Sequence, residues 1–169
     1  MRLISCFATV FLATTLAPVL GADTAVDRAD KDEIISVPKG DLDMEVAFRH
    51  ARDTLKGFLG LARAPRSSIT SMAVKVAIHH RGKTEYFWIS PFKEKDDGLV
   101  GTVDNTPRNV RNVKLGQTIT FQTSDIVDWL YREDGKTFGN YTACALVKQA
   151  PPSERKALAR EYGWNCDTI

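Results

Sequence analysis

The segment Asn105-Thr106-Pro107-Arg108-Asn109-Val110-Arg111-Asn112-Val113-Lys114 sets three cations, Arg108, Arg111 and Lys114, within seven residues and interleaves them with amides. A guanidinium fork grips a carboxylate or phosphate through two hydrogen bonds, and a nearby ammonium adds a point charge. The stretch therefore offers a loop for a small carboxylate, a phosphate or an acidic patch on a protein. A second reading stands beside it: Arg108 or Arg111 pairs with a structural carboxylate such as Asp128 and fixes the loop, an arrangement worth little at a surface. Spacing alone does not separate the two.

Asp125 and Asp128 lie three residues apart and share one face if 125–128 form a helical turn, as paired acid–base groups or oxygen ligands would require. Asp125 can equally support the start of that turn through the helix dipole. The histidines give less. His79 and His80 are adjacent at a hairpin end, where neighbours point to opposite faces and do not share a metal; His50 sits on the polar flank of a helix. No Gly-x-Ser-x-Gly elbow, His-Glu-x-x-His helix, phosphate loop or dinucleotide fingerprint occurs. No catalytic residue, cofactor or metal site is expected.

Aromatic side chains form the second candidate surface. Tyr86, Trp88, Trp129, Tyr131, Phe138 and Tyr141 crowd one part of the chain, and Trp and Tyr dominate binding hot spots. Trp88 and Tyr131, with Arg108, Arg111, Lys114 and Asp128, are the candidate binding residues. Packing inside the molecule is the ordinary alternative for these rings.

The elements that must position these groups follow from periodicity. Met44, Ala47, Phe48, Ala51, Leu55, Phe58 and Leu59 recur every three or four residues, which predicts an amphipathic helix with Asp43 as its N-cap and with Gly60 and Pro65 helping to end it. From Met72 the period drops to two. Met72, Val74, Val76 and Ile78 alternate with polar or small residues, and Glu85, Phe87 and Ile89 do so after Arg81-Gly82, which predicts a hairpin pairing Val76 with Phe87 and Val74 with Ile89. Two further strands are expected at 99–103 and 117–121, with the basic segment between them. Thr123 or Ser124 should cap a helical turn over 125–128, and Asp134-Gly135 should reverse the chain. Segment 142–148 reads as strand or helix, and 153–162 as a terminal helix stopped by Gly163. The fold class is α+β: a twisted antiparallel sheet with an N-terminal amphipathic helix and a short C-terminal helix packed on it.

The 169 residues carry 23 Lys plus Arg and 21 Asp plus Glu. Arg2 followed by the apolar run 3–20 and small residues at Gly21 and Ala22 reads as a secretory signal peptide over 1–21. A polar leader at 22–40, within which Ile34-Ile35-Ser36-Val37-Pro38 could dock as an edge strand, then precedes one domain over 41–169. Loss of the signal leaves 22 cations against 21 acids, so nucleic acid is not an expected partner. The expected location is the periplasm or the exterior, with no stable membrane insertion after signal cleavage. Cys144 and Cys166 then form an even pair in an oxidising compartment, and a disulfide between them is expected.

The stretch 85–142, with EYFWISPF, GLVGTVDNTPRNVRNVKLGQTITF and SDIVDWLYREDGKTFGNYT, resembles the YegJ-like family of small bacterial proteins, and the resemblance reaches back over the helical segment 44–65. It covers about two thirds of the chain. It implies a fold and a bacterial source, and it implies no reaction. Two functions remain open. One is a secreted, non-enzymatic module that binds a protein of the cell envelope, for instance as an immunity-type inhibitor of an envelope-acting toxin. The other is a small-ligand protein or enzyme with a pocket around Arg108, Arg111 and Asp128.

Overall fold

The computed structural model describes residues 40–148 and 150–166. The expected signal peptide, the leader before Gly40 and the apolar segment 34–38 lie outside the described residues. The three-to-four periodicity winds into α1 (Leu42–Arg63), whose buried stripe is Met44, Ala47, Ala51, Leu55, Phe58 and Leu59. Its N-cap is Asp41 and not Asp43: the Asp41 carboxylate accepts the Met44 N–H at 2.9 Å, and Asp43 falls in the first turn beside Glu45. Both positions suit a negative charge at a helix start, so composition alone could not choose between them.

The alternating runs become β1 (Ile69–His80) and β2 (Lys83–Lys95). Val76 pairs with Phe87 and Val74 with Ile89, as the turn at Arg81-Gly82 requires. Both turn residues take positive φ, 49° and 76°, matching the primed turn whose twist suits a two-residue hairpin. Next come β3 (Gly98–Val103), β4 (Thr118–Phe121), β5 (Ile126–Glu133) and β6 (Lys136–Gly139). The six strands form one antiparallel sheet in the order β4-β3-β2-β1-β5-β6. A short α2 (Tyr141–Val147) and the terminal α3 (Pro152–Tyr162), closed by left-handed Gly163, complete the α+β fold.

One expected element is corrected. The helical turn over 125–128 is a single 3₁₀ turn at Thr123–Asp125, after which Ile126 already begins β5. Asp125 folds back to accept the Gln122 N–H at 2.8 Å, while Asp128 lies inside a strand, so the two carboxylates do not form a pair on one helical face. The cap is Gln122 and neither Thr123 nor Ser124, which lie inside the turn, and β-branched Ile126 and Val127 favour extended backbone once that turn is made.

The core lies between α1 and one face of the sheet. Val74, Val76, Phe87, Ile89 and Val103 are at most 1% exposed there, and Trp129 donates its indole N–H to the Ala51 carbonyl of α1 at 3.1 Å. Phe58, Trp129, Tyr131 and Phe138 form a stacked row with successive ring centroids 4.8, 6.2 and 4.8 Å apart. Among the described residues no helix is long and apolar enough to cross a membrane.

Candidate functional site

Strand β3 stops pairing with β2 at Val103 opposite Ile89, which leaves the β2 backbone at 85–88 as an open edge inside the sheet. Unpaired edge groups must be satisfied or covered. The connection from Asp104 to Gln117 does this. Asp104 donates its N–H to the Trp88 carbonyl at 2.9 Å, and Asn105 Oδ1 accepts the Trp88 N–H at 2.8 Å. Glu85, only 2% exposed, then accepts three successive backbone N–H groups, from Arg108 and Asn109 at 2.8 Å and Val110 at 2.9 Å. Val110 and Val113 turn inward and join the core.

The carboxylate that fixes the basic loop is therefore Glu85, and it works through backbone donors. The guanidinium-to-Asp128 arrangement is not what holds the loop. Arg108, Arg111 and Lys114 lie exposed on it, with the Lys114 N–H tied to Gln117 Oε1 at 2.9 Å. A loop clamped from beneath at Glu85 and Trp88 holds the backbone of its cations in place, which lowers the backbone part of the ordering cost of any contact they make.

The face of the sheet opposite Val74 and Phe87 carries a polar row. Lys75 pairs in register with Trp88 on one side and Asp128 on the other. Its ammonium stands 4.5 Å from the centroid of the Trp88 ring and donates to Thr142 Oγ1 at 2.7 Å. Asp128 is fully buried and saturated: it accepts the N–H groups of Trp129, Tyr141 and Thr142 at 2.8, 3.3 and 2.8 Å, and the Thr142 hydroxyl at 2.6 Å. Burial pushes its carboxyl above the ordinary value, while the Lys75 charge and the hydrogen bonds from Thr142 and Trp129 pull it back. Asp128 thus caps the start of α2 from a neighbouring strand. Asn140, the residue at that cap, makes no side-chain hydrogen bond to it.

The structure brings together Trp88 and the basic loop, and it links Trp88 to Asp128 through Lys75. Tyr131 stands apart, half-buried in the aromatic row above β5. Tyr86 is 44% exposed, with its ring 5.8 Å from Phe48 of α1. Cys144 and Cys166 are joined as a disulfide, Cα atoms 5.3 Å apart. His79 Nδ1 lies 2.8 Å from Thr84 Oγ1, and His50 meets the edge of Tyr141. Among the described residues no group of three His, Cys, Asp or Glu side chains is placed to hold a metal ion. Sequence reasoning missed Glu85, Lys75 and Thr142 as organisers. The signal was present in two of them, since Glu85 occupies an inward position of its strand and Lys75 interrupts an otherwise apolar or small run.

A bacterial family described as an uncharacterized protein conserved in bacteria, DUF2314, matches residues 41–166. The chain belongs to this family. Its relatives include the Uncharacterized protein YegJ of Escherichia coli strain K12, 31% identical over 115 residues that cover 68% of this chain and 74% of that one. A protein of Neisseria meningitidis serogroup B named for ankyrin repeats is 26% identical over 142 residues, 79% of this chain and 55% of its own length. The chain thus spans about half of that relative. No solved structure matches. The family match takes in α1, the whole sheet, α2 and α3, so the clamped loop and the Lys75 row both lie within it.

Proposed function

We propose that this chain is a secreted, non-catalytic module that binds an acidic surface of another protein in the bacterial cell envelope, through the loop bearing Arg108, Arg111 and Lys114 and the adjoining Trp88. The observation that carries the reading is the Glu85 clamp: a carboxylate buried to 2% exposure holds three loop N–H groups, so the backbone that carries the exposed cations is already ordered. Complementary charge speeds encounter and selects partners more than it raises affinity. An aromatic ring beside it supplies the apolar area such a contact needs. The disulfide and the signal-like pattern over 1–21 support an oxidising location. An immunity-type pairing with an envelope-acting toxin is the form of this reading in which the partner's acidic face is a toxin active site.

The alternative, a pocket shared by Arg108, Arg111 and Asp128, draws no support from where these groups sit. Asp128 is sealed under Thr142 with its acceptors filled, and the two arginines ride on an exposed loop.

The test is capture from envelope extracts by residues 22–169, with binding then measured against the purified partner. Arg111→Glu should weaken binding by about tenfold or more and flatten its salt dependence. Glu85→Gln should weaken it as well, although Glu85 is out of a partner's reach, because a single amide oxygen cannot hold three N–H groups. A partner bound equally well by both variants removes the loop from the interface and overturns the reading.

A further inference from the structure

We infer that the outer edge of β4 receives an extended acidic segment of a partner protein as an added antiparallel strand. The two ends of the sheet are finished differently. At one end β6 is sealed: Thr137 donates its N–H to Gly163 O and its hydroxyl to Tyr162 O, both at 2.8 Å, and forms a bridge with Trp164. At the other end β4 pairs with β3 and, among the described residues, with no strand beyond it. An unpaired edge is a template for another chain, and proteins blunt such edges with a charge, a proline or a bulge. Thr118-Ile119-Thr120-Phe121 has none of these: its side chains suit extended backbone, and its register with β3 runs unbroken across the strand.

The backbone groups on offer follow from the register. Val103 donates its N–H to Gln117 O at 2.9 Å, so by antiparallel alternation Ile119 and Phe121 exchange bonds with Gly101 and Leu99, while Thr118 and Thr120 turn their N–H and C=O groups outward. Both threonines are exposed. The flank decides what adds to them. Gln117 N–H to Lys114 O at 3.0 Å and Gly116 N–H to Val103 O at 2.8 Å fix the backbone of Lys114 and Leu115 at the start of β4, and the Leu115 side chain is 57% exposed. The connection 104–117 carries Arg108, Arg111 and Lys114 against one acid, Asp104. A segment that adds here therefore has its carboxylates at the end beside Thr118, which is its C-terminal end in an antiparallel pair. Main-chain bonds supply the affinity of such an addition, and the charges select the segment. The inference rests on the reading of the basic loop as a protein-binding element and names the form in which the partner meets it.

Fluorescence anisotropy tests the assignment, with the chain purified from cells expressing the full sequence and a labelled, end-capped peptide of alternating threonine and valine that closes on two aspartates. Saturable binding is expected, weakened about tenfold or more when two lysines replace the aspartates. Thr120→Pro should abolish it while melting within a few degrees of the parent, since the ring removes an outward N–H and no bond to β3. Thr120→Val, which keeps that N–H, should bind as the parent does. With peptide bound to the parent, amide exchange at Thr118 and Thr120 should slow while that of Ile119, already paired, stays as it was; this measurement decides the matter if Thr120→Pro folds poorly. No saturable binding, equal binding of the lysine peptide, undiminished binding by folded Thr120→Pro, or unchanged exchange at Thr118 and Thr120 each overturns the added strand. A blank with the peptide beside an envelope partner still lost in Arg111→Glu removes the strand alone, whereas a partner indifferent to Arg111→Glu and Glu85→Gln removes the loop reading.

Discussion

Asp128 shows how one buried carboxylate can be read in sequence as a functional group and act as a keystone between elements. Its aspartate–hydrophobe context, Ile126-Val127-Asp128-Trp129, gives no hint of the donors that converge on it, because Tyr141 and Thr142 lie more than a dozen residues away. Lys75 is the opposite case: a cation amid Val74, Val76 and Ile78 announces that something polar must face it, though not what. Asp128→Ala should cost about 3 kcal/mol in urea unfolding, since it leaves three buried N–H groups, the Thr142 hydroxyl and Lys75 without their acceptor or counter-charge. Thr142→Val, which keeps the shape and removes the hydroxyl, should cost about 1 kcal/mol. A loss within a few tenths of a kcal/mol for Asp128→Ala would show that the cap contributes nothing to folding. Glu133 contributes a pH dependence on the acid side. The Arg66 fork, then the Ser68 hydroxyl, holds its carboxyl down to about 2 from an ordinary 4.5. A depressed folded value means that this contribution is complete above about pH 4.5 and disappears as the pH falls toward 2. Melting curves of the parent and Glu133→Gln should therefore differ at neutral pH and converge across that window. A constant gap down to pH 2 would place the effect elsewhere.

At the scale of elements, period and turn chemistry were legible wherever both agreed. α1, the β1–β2 hairpin with its register, and the Gly163 stop of α3 follow from residue spacing and from which residues tolerate positive φ. The failure at 125–128 arose because the turn is capped two to three residues earlier, by the Gln122–Asp125 pair, and is followed by β-branched residues, so that tertiary pairing with β1 ends it at Ile126. Segment 142–148 was ambiguous because its helix is stabilised from outside, by Asp128. Tyr131 belongs to this scale as well. It stacks between Trp129 and Phe138, so the binding role suggested by its type competes with a structural one. Tyr131→Ala should lower stability by about 2 to 4 kcal/mol through the broken row, and Trp88→Ala, on a half-buried ring outside that row, by less. A Tyr131→Ala protein that melts like the parent would free the ring for a partner. Gly139 is fixed by close approach: at φ 78°, a Cβ would meet the Trp129 carbonyl and indole. Gly139→Ala should therefore perturb the same aromatic row from its other side.

Across the whole molecule, the design problem is a six-stranded sheet whose strands differ in length, and the connections solve it. The loop 104–117 covers the edge that β3 leaves on β2, while α2 covers the edge that short β6 leaves on β5, where Asn140 donates its N–H to Trp129 O at 2.8 Å. The C-terminal unit is joined to the sheet and to α2 through Thr137 and the disulfide, and it carries its own small cluster around Leu158. Cysteine pairing was legible in the sequence because only two cysteines follow the signal-like segment. What the pairing holds in place was not, since the small cluster around Leu158 forms only where α3 meets α2 in space. With the cysteines 22 positions apart, the bond should contribute about 3 kcal/mol by restricting the unfolded chain. The double variant Cys144→Ser plus Cys166→Ser should lose about that much in global unfolding and, more tellingly, should open α3 first. Amide exchange along 152–162 should rise well before that of β1 and β2, because the helix is then held by surface hydrogen bonds from Thr137 and Arg155 and by the single buried Leu158. Exchange that rises uniformly across sheet and helix instead would mean that α3 and the main core unfold as one unit.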